Sequence, residues 1–364
     1  MTGLRDAVVV GGGPAGLFLA AAAAARGLDV LVLEKRQGTL DKACGEGVLP
    51  AGRRALAELG ALALVDPSEA SPVSELHFCD ESGLSAVLRL PGEGGVGIRR
   101  TALSAALRAR AEQLGARVRT GAEVIEHRRG GDRIEAVLAD GERVGARVLV
   151  AADGLTSPIR RREGLDAPVH SPPRFGLRRH FAVAPWAEAV EVHFAPGVEA
   201  YLTPAGRGRV GLAFLFERAG AVRYPELLAR FPVLARRLSG VPFDSEVRGA
   251  GPLARRARAR TAERLVLLGD AAGYLDPVTG EGLSLAFGCA TELAAILPAA
   301  LSAGADASAL RPYEAAWRRR YRLYAAWTRL LLWLSRHARL RRATLRLAGA
   351  RPEAFERMVA AAVG

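Results

Sequence analysis

Lysine is nearly missing from this chain: Lys35 and Lys42 are the only two, so almost all of the 51 basic side chains are arginine. Cysteine is scarce too. Cys44, Cys79 and Cys289 lie far apart, without a CxxC pair or histidine-rich ligand spacing, which argues against a disulfide framework and a zinc site, so no metal is expected. Aromatic residues make up only 6%. A formal charge of +13 invites a nucleic-acid reading, but a nucleic-acid binder would interleave a basic stripe with stacking aromatics. Here arginine is spread along the chain and densest near the C-terminus, so no nucleic-acid partner is expected. No HExxH, nucleophile elbow or serine–histidine triad is present. One long run, Ala7 to Ala25, lacks charge, follows Arg5 and has the look of a signal or anchor. Gly11-Gly12-Gly13-Pro14 inside it would break or weaken a membrane helix, so it reads as strand, turn and alanine-rich helix, and a cytoplasmic protein is expected.

What is present is a profile of alternating elements. Half the residues are hydrophobic and 24% are charged, as in a soluble globular protein, and 364 residues exceed one average domain. Asp6–Val10 reads as a buried parallel strand, followed by a glycine turn, a helix from Pro14 to Arg26 stopped by Gly27, and a second strand, Asp29–Leu33, ending in Glu34. A helix over Pro50–Leu59, alternating strands within 72–99 and an amphipathic helix over Thr101–Leu114 come next. Short strands are expected at 117–120, 123–128, 134–138 and 147–152, with Asp140-Gly141 as a hairpin turn. From 168 to 248 the pattern shifts to longer strands, at 176–183, 189–194, 199–202 and 209–216, which read as a second domain inserted into the first. The expected division is 1–71, 100–167 and 256–310 for the first domain, 72–99 and 168–255 for the inserted one, and 311–364 for C-terminal helices.

The first chemical motif is Gly11-x-Gly13-x-x-Gly16, between strand and helix. Gly11 permits the tight turn, Gly13 lets a pyrophosphate approach the backbone, and Gly16 allows helix to pack on strand. Pro14 and Ala15 open a helix whose N-terminus offers N–H groups and a positive dipole end to phosphates. Glu34, at the end of the second strand, stands where an acid bonds a ribose hydroxyl, with Lys35 beside it.

A second motif, Ala151-Ala152-Asp153-Gly154-Leu155-Thr156-Ser157 with Arg160, and a third, Leu267-Leu268-Gly269-Asp270-Ala271-Ala272 continued by Asp276-Pro277-Val278-Thr279-Gly280-Glu281-Gly282, follow at long intervals. In this order the three motifs resemble the flavoprotein superfamily of para-hydroxybenzoate hydroxylase, geranylgeranyl reductases and flavin-dependent halogenases, from about Asp6 to Leu297. The resemblance implies an α/β fold: a Rossmann-like FAD-binding domain of the glutathione-reductase type, an inserted antiparallel-sheet substrate domain, and C-terminal helices. It implies FAD as cofactor and NAD(P)H as a transient electron donor. By the same resemblance Glu34 holds the adenosine ribose, Val124 meets the adenine through its backbone, and Arg100 contacts the ribityl-phosphate region. Asp153 and Gly154 form the Asp-Gly motif linked to FAD and nicotinamide cofactors, and Asp270, after Gly269, accepts from a ribityl hydroxyl. Pro277 and Gly280, Glu281 and Gly282 lie beside the isoalloxazine, where a helix N-terminus stabilises negative charge on reduced flavin.

A fourth segment, Lys42-Ala43-Cys44-Gly45-Glu46-Gly47, is similar to a Lys-x-Cys-Gly-Gly-Gly segment of geranylgeranyl reductases, placing Cys44 and Gly45 against the flavin. Cys44 reads as a packed structural thiol, with redox activity as the other reading. Against this, the inserted sheet carries Tyr201-Leu202-Thr203-Pro204 where the superfamily's reductases and halogenases have a tryptophan-containing segment ending in proline; halogenation is not expected. Arg178 and His180 share a strand face by alternation, either lining the substrate cavity or facing solvent. Catalytic candidates are thus Cys44, Glu46, Arg178, His180 and Tyr201.

The reaction favoured by these readings is NAD(P)H-dependent monooxygenation, passing one oxygen atom of O2 through a flavin C4a-hydroperoxide to a small hydrophobic or aromatic substrate. The alternative is a reductase of alkene or isoprenoid substrates. A flavin-binding protein without a committed substrate is a third reading. Trp317–Leu347 interleaves arginine with Leu, Trp and Tyr at helical spacing; covering the inserted domain's core is the reading preferred over an interfacial membrane helix, and membrane association is not expected.

Overall fold

The computed structural model describes residues 3–39, 41–217 and 222–363. Its first sheet runs in the spatial order Thr261–Ala262, Leu265–Leu267, Arg143–Ala151, Arg5–Val10, Val30–Glu34, Arg117–Thr120. The four strands from Leu265–Leu267 to Val30–Glu34 pair in parallel, as does Arg117–Thr120 with Val30–Glu34. Val8, Val9, Val30, Val32, Val148–Val150 and Leu265–Leu267 are all buried, which is what a sheet covered on both faces requires of its strands. Arg133–Leu138 and Val124–Gly130 continue the sheet antiparallel, with Gly141 in the left-handed region (φ +87°) at the expected hairpin turn.

The glycine-loop helix Pro14–Ala24 lies almost wholly buried, and the helix Arg100–Gln113 packs beside it. The helix Gly282–Ser302 is long and apolar enough to cross a membrane, yet it packs against Pro14–Ala24, with Phe18 stacked on Phe287 at 4.6 Å between ring centroids.

The inserted domain is built on a seven-stranded sheet in the order Arg248–Ala250, Phe175–Phe181, Val210–Phe216, Val198–Pro204, Ala189–Ala195, Glu75–Asp80, Ser85–Arg89. It is antiparallel except where Ala189–Ala195 runs parallel to Glu75–Asp80. Two short helices absent from the sequence reading, Tyr224–Leu228 and Pro232–Arg237, cover one face, bringing Tyr224, Leu227, Phe231 and Leu234 onto Phe181, Leu212 and Phe214. Residues Gly47–Val48, Ala70–Val73 and Gly95–Ile98 form a small separate sheet between the two.

The C-terminal helices divide their work, and here the sequence reading is corrected in part. Tyr313 and Trp317 of the helix Arg311–Arg336 belong to the core of the nucleotide domain, not the inserted one. It is the next helix, Ala338–Ala350, that covers the edge of the inserted sheet, setting Leu345 and Ala348 on Ala86 and Leu88. An ion cluster seals that contact: Arg341 and Arg342 donate to Asp80 at 2.9 Å each and to Glu81 at 2.7 and 2.9 Å. Burial would raise the Asp80 carboxyl, but bonds from Ser82, Arg342 and Arg341 hold it well below the usual range. Asp80→Asn leaves the buried Arg341 with Glu81 as its one remaining acid and should cost about 2 kcal/mol, read as a lowered denaturant midpoint; an unchanged midpoint would show that the cluster is ornamental to the helix contact.

Candidate active site

The three sequence motifs meet at the C-terminal ends of the parallel strands. Gly11 adopts φ +112°, and a Cβ there would fall 2.3 Å from the carbonyl oxygen of Ala152 in the second motif. A Cβ at Gly16 would fall 2.1 Å from the oxygen of Gly11 and 3.1 Å from Val9. Gly269 of the third motif, at φ +62°, would meet Ala15 at 2.9 Å. Gly13 caps the Pro14–Ala24 helix without a side-chain bond, and the first turn carries no acid, so the dipole end is left for an anion. Glu34 reaches back to the loop, accepting from Gly12 N at 2.7 Å and Arg36 N at 3.0 Å. Lys35 is exposed, and Val124 opens its strand half-buried.

Asp153 accepts from Ile159 N at 3.3 Å with one oxygen; its other carboxylate oxygen is buried without a partner among the described residues. Burial pushes its carboxyl up. The Lys42 ammonium pairs with Asp270 Oδ2 of the third motif at 3.0 Å, and lies 4.0 Å from where a Gly154 Cβ of the second would stand. Arg160 ties the second motif to the third, donating to Leu155 O at 2.9 Å and Ala271 O at 3.0 Å. A glycine-lined helix N-terminus, an acid ending the second strand and an orphaned buried carboxylate oxygen together fit FAD: Gly11–Gly16 and Glu34 would hold its adenosine diphosphate half and Asp270 its ribityl side, with Asp153 as a further contact.

The third motif ends in a 3-10 turn, Pro277–Thr279, capped by Asp276 through Val278 N at 3.0 Å and closed by Gly280 at φ +72°. Tyr201 of the inserted sheet donates to Val278 O at 3.3 Å, so the expected substrate-domain tyrosine touches this turn. Below it Arg174 sits between Asp276 at 2.8 Å and Glu199 at 2.5 Å, while Tyr324 donates to Asp276 O at 2.8 Å. Burial lifts the Asp276 carboxyl to about 6 although Arg174 pulls it down. Glu281, the last residue before the helix Gly282–Ser302, is lifted to about 7 by burial alone.

Between the nucleotide motifs and the inserted sheet lies a second constellation. Arg100 donates to Cys44 Sγ at 2.6 Å, and its backbone N–H donates to Glu46 Oε1 at 2.9 Å. Glu46 Oε2 accepts from His180 Nε2 at 2.5 Å. At His180 Nδ1 three donors converge: Arg178 at 3.0 Å, Ser245 Oγ at 2.8 Å, and Arg99. Guanidinium donors at Nδ1 require that nitrogen to accept, so the proton resides on Nε2 and the ring is neutral beside an ionised Glu46. The charges agree. Burial holds the His180 imidazole below its ordinary value, against the pull of Glu46, and Glu46 stays below the usual glutamate range because His180, Arg178 and the Arg100 amide outweigh its burial. Burial works against the Arg100 guanidinium, but Cys44, Glu46 and Asp270 hold it above its ordinary value.

The structure therefore brings four of the five catalytic candidates, Cys44, Glu46, Arg178 and His180, into one network, and Tyr201 into the adjoining turn. The solvent-facing reading of Arg178 and His180 is corrected: they are 1% and 0% exposed. Sequence reasoning missed Arg99, Asp41, Ser245 and Arg174. Asp41 accepts from Arg178, and its proximity to the Lys42–Gly47 segment was the one signal available; the others approach from distant strands and loops.

Replacing Gly13 with Val should abolish FAD retention by blocking the pyrophosphate's approach to the backbone, read as loss of flavin absorbance in the purified protein. Undiminished affinity would misplace the site. The neutral tautomer is checked separately: the His180 ring resonance should titrate below 6.5, and titration at or above that value would contradict the assignment.

Comparison with known proteins agrees with this geometry. The family model described as FAD binding domain matches residues 5–213 and 242–328. By sequence the chain is 31% identical to digeranylgeranylglycerophospholipid reductase 1 of Methanopyrus kandleri, covering 87% of each chain. It is 30% identical to menaquinone reductase of Mycobacterium tuberculosis, over 76% of this chain and 72% of that one. In structure it matches p-nitrophenol 4-monooxygenase of Pseudomonas putida with a TM-score of 0.81, over 96% of this chain and 95% of the other at 21% identity. With its three motifs assembled on one strand edge and matched across most of their length, the chain belongs to the FAD binding domain family and is an FAD-dependent oxidoreductase.

Proposed function

We propose that this flavoprotein is a reductase that saturates carbon–carbon double bonds of an isoprenoid-type apolar substrate, drawing electrons from NAD(P)H. The sequence alone favoured a monooxygenase. Two facts move the reading. The likeness to a monooxygenase is one of fold, at 21% identity, whereas relatives at 30–31% identity are named as reductases, one of menaquinone and one of a digeranylgeranylglycerophospholipid. The observation that carries the proposal is the Cys44 network. The Lys42–Gly47 segment, similar to that of geranylgeranyl reductases, is held as one unit by Arg100, His180, Arg178 and Asp270, at the seam between cofactor motifs and inserted sheet.

Bound FAD, once reduced, supplies a hydride. The chain's own residues supply position and a proton. Arg100 fixes the Cys44 sulfur, Glu46 fixes the Arg100 backbone, and neutral His180 fixes Glu46, so the loop presents one conformation to the substrate. A hydride added to one alkene carbon demands a proton at the other. Glu281, buried before the Gly282–Ser302 helix with its carboxyl lifted by burial to about 7, is the group proposed to hold it. Because its pKa is raised, the protonated form dominates below that value and is lost above it.

The test compares NAD(P)H-driven turnover of a prenyl lipid under argon and under air. The reductase gives a product heavier by a pair of hydrogens in both, without O2 uptake; a product that forms only in air and gains an oxygen atom would establish the monooxygenase instead. Turnover should fall as pH rises through about 7, and Glu281→Gln should lose that limb together with at least ~10-fold in rate. An identical pH profile in the variant would remove Glu281 from the proton path.

A further inference from the structure

The two helices Arg311–Arg336 and Ala338–Ala350 each bury one side against the protein, and their outer sides hold a pattern that neither the fold nor the cofactor site uses. Arg-Leu doublets recur at Arg322-Leu323 and Arg329-Leu330 in the first helix and at Arg339-Leu340 and Arg346-Leu347 in the second. The spacing of seven within each helix keeps both doublets on one face. The leucines are 52%, 41%, 42% and 51% exposed, and Trp333, one turn beyond Leu330, is 48% exposed. The four doublet arginines are exposed too, and among the described residues none of them forms a salt bridge, whereas Arg318, Arg319, Arg320, Arg336, Arg341 and Arg342 all do.

Charge is concentrated in the same segment. Residues 311–363 contain thirteen arginines and three glutamates, so an excess of ten positive charges, out of +13 for the whole chain, resides there. A polyanion alone would satisfy the arginines but offers no apolar phase for four half-exposed leucines and a tryptophan. A second copy of this face would set its four unpaired doublet arginines against four of the same sign. An anionic bilayer answers both demands: leucine and tryptophan enter the acyl boundary while arginine stems lie along it with their guanidinium groups at the phosphates.

We propose that the outer face of these two helices docks the protein on an anionic lipid surface. The inner side of the first helix reaches the flavin-side turn, Tyr324 donating to the backbone of Asp276, and the second helix seals the edge of the inserted sheet. Docking there sets the membrane beside both parts of the active site. The inference stands apart from the reductase reading, since binding is measured without turnover, and it would account for access to a substrate dissolved in the bilayer.

The experiment is co-sedimentation of the FAD-loaded full chain with phosphatidylglycerol-rich vesicles and with pure phosphatidylcholine vesicles, across a salt series. Binding should require phosphatidylglycerol and weaken with salt. The double variant Arg329→Gln/Arg346→Gln should lower partitioning about thirtyfold. Leu330→Ser/Leu347→Ser should lower it as well, with flavin content and thermal midpoint unchanged in both variants. Equal binding to neutral vesicles, no binding at low salt, or leucine variants that bind like the parent would each overturn the proposal, the last by reducing it to charge adsorption. A dimer in solution that the leucine variants dissociate would overturn it in favour of a self-interface.

Discussion

The structure depends on close approaches that only glycine permits. Gly11 lets its backbone lie against the carbonyl of Ala152, and Gly269 lets the third motif lie against Ala15, at separations where a Cβ would collide. The amides complete the junction, Ala152 N donating to Val10 O at 2.8 Å and Leu268 N to Ala151 O at 2.9 Å. Segments more than a hundred residues apart thereby share one strand edge, and the insertion of a whole second domain between them leaves that edge undisturbed. This is the arrangement by which open α/β sheets gather ligand-binding groups outside the carboxyl ends of their strands.

Given that edge, the site divides into two electrostatic regions. On the nucleotide side stand backbone dipoles, Glu34, Asp153 and the Lys42–Asp270 pair. On the inserted-sheet side, two buried ion networks, Glu46–His180–Arg178–Asp41 and Asp276–Arg174–Glu199, clamp the loop before and the turn after the cofactor position. Buried charges are costly unless paired and hydrogen-bonded, so neither clamp slides freely. What these networks contribute is rigid positioning of the Lys42–Gly47 loop and the Pro277–Thr279 turn.

The parts of this arrangement legible in the sequence were those with local signatures. Glycines that require unusual φ or close approach, an acid ending a strand, and the strand-turn-helix punctuation around Gly11–Gly16 announce themselves within a few residues. Alternation likewise told that Arg178 and His180 share a face, but it does not say which face of a sheet is covered. That is decided by the loop carrying Asp41, Lys42 and Glu46, which crosses over from the other domain. The helices Tyr224–Leu228 and Pro232–Arg237 are each under two turns long, too short for a 3.6-residue period to register, and the division of labour between the C-terminal helices depends on partners remote in sequence.

The proposed reaction, in which reduced FAD would deliver a hydride to an isoprenoid chain, has a direct test in one turnover. The enzyme is photoreduced without oxygen or nicotinamide, mixed anaerobically with the prenyl lipid, and the absorbance of oxidised flavin is followed. The account predicts that oxidised flavin returns in step with the saturated product. Flavin that stays reduced until O2 is admitted would contradict it.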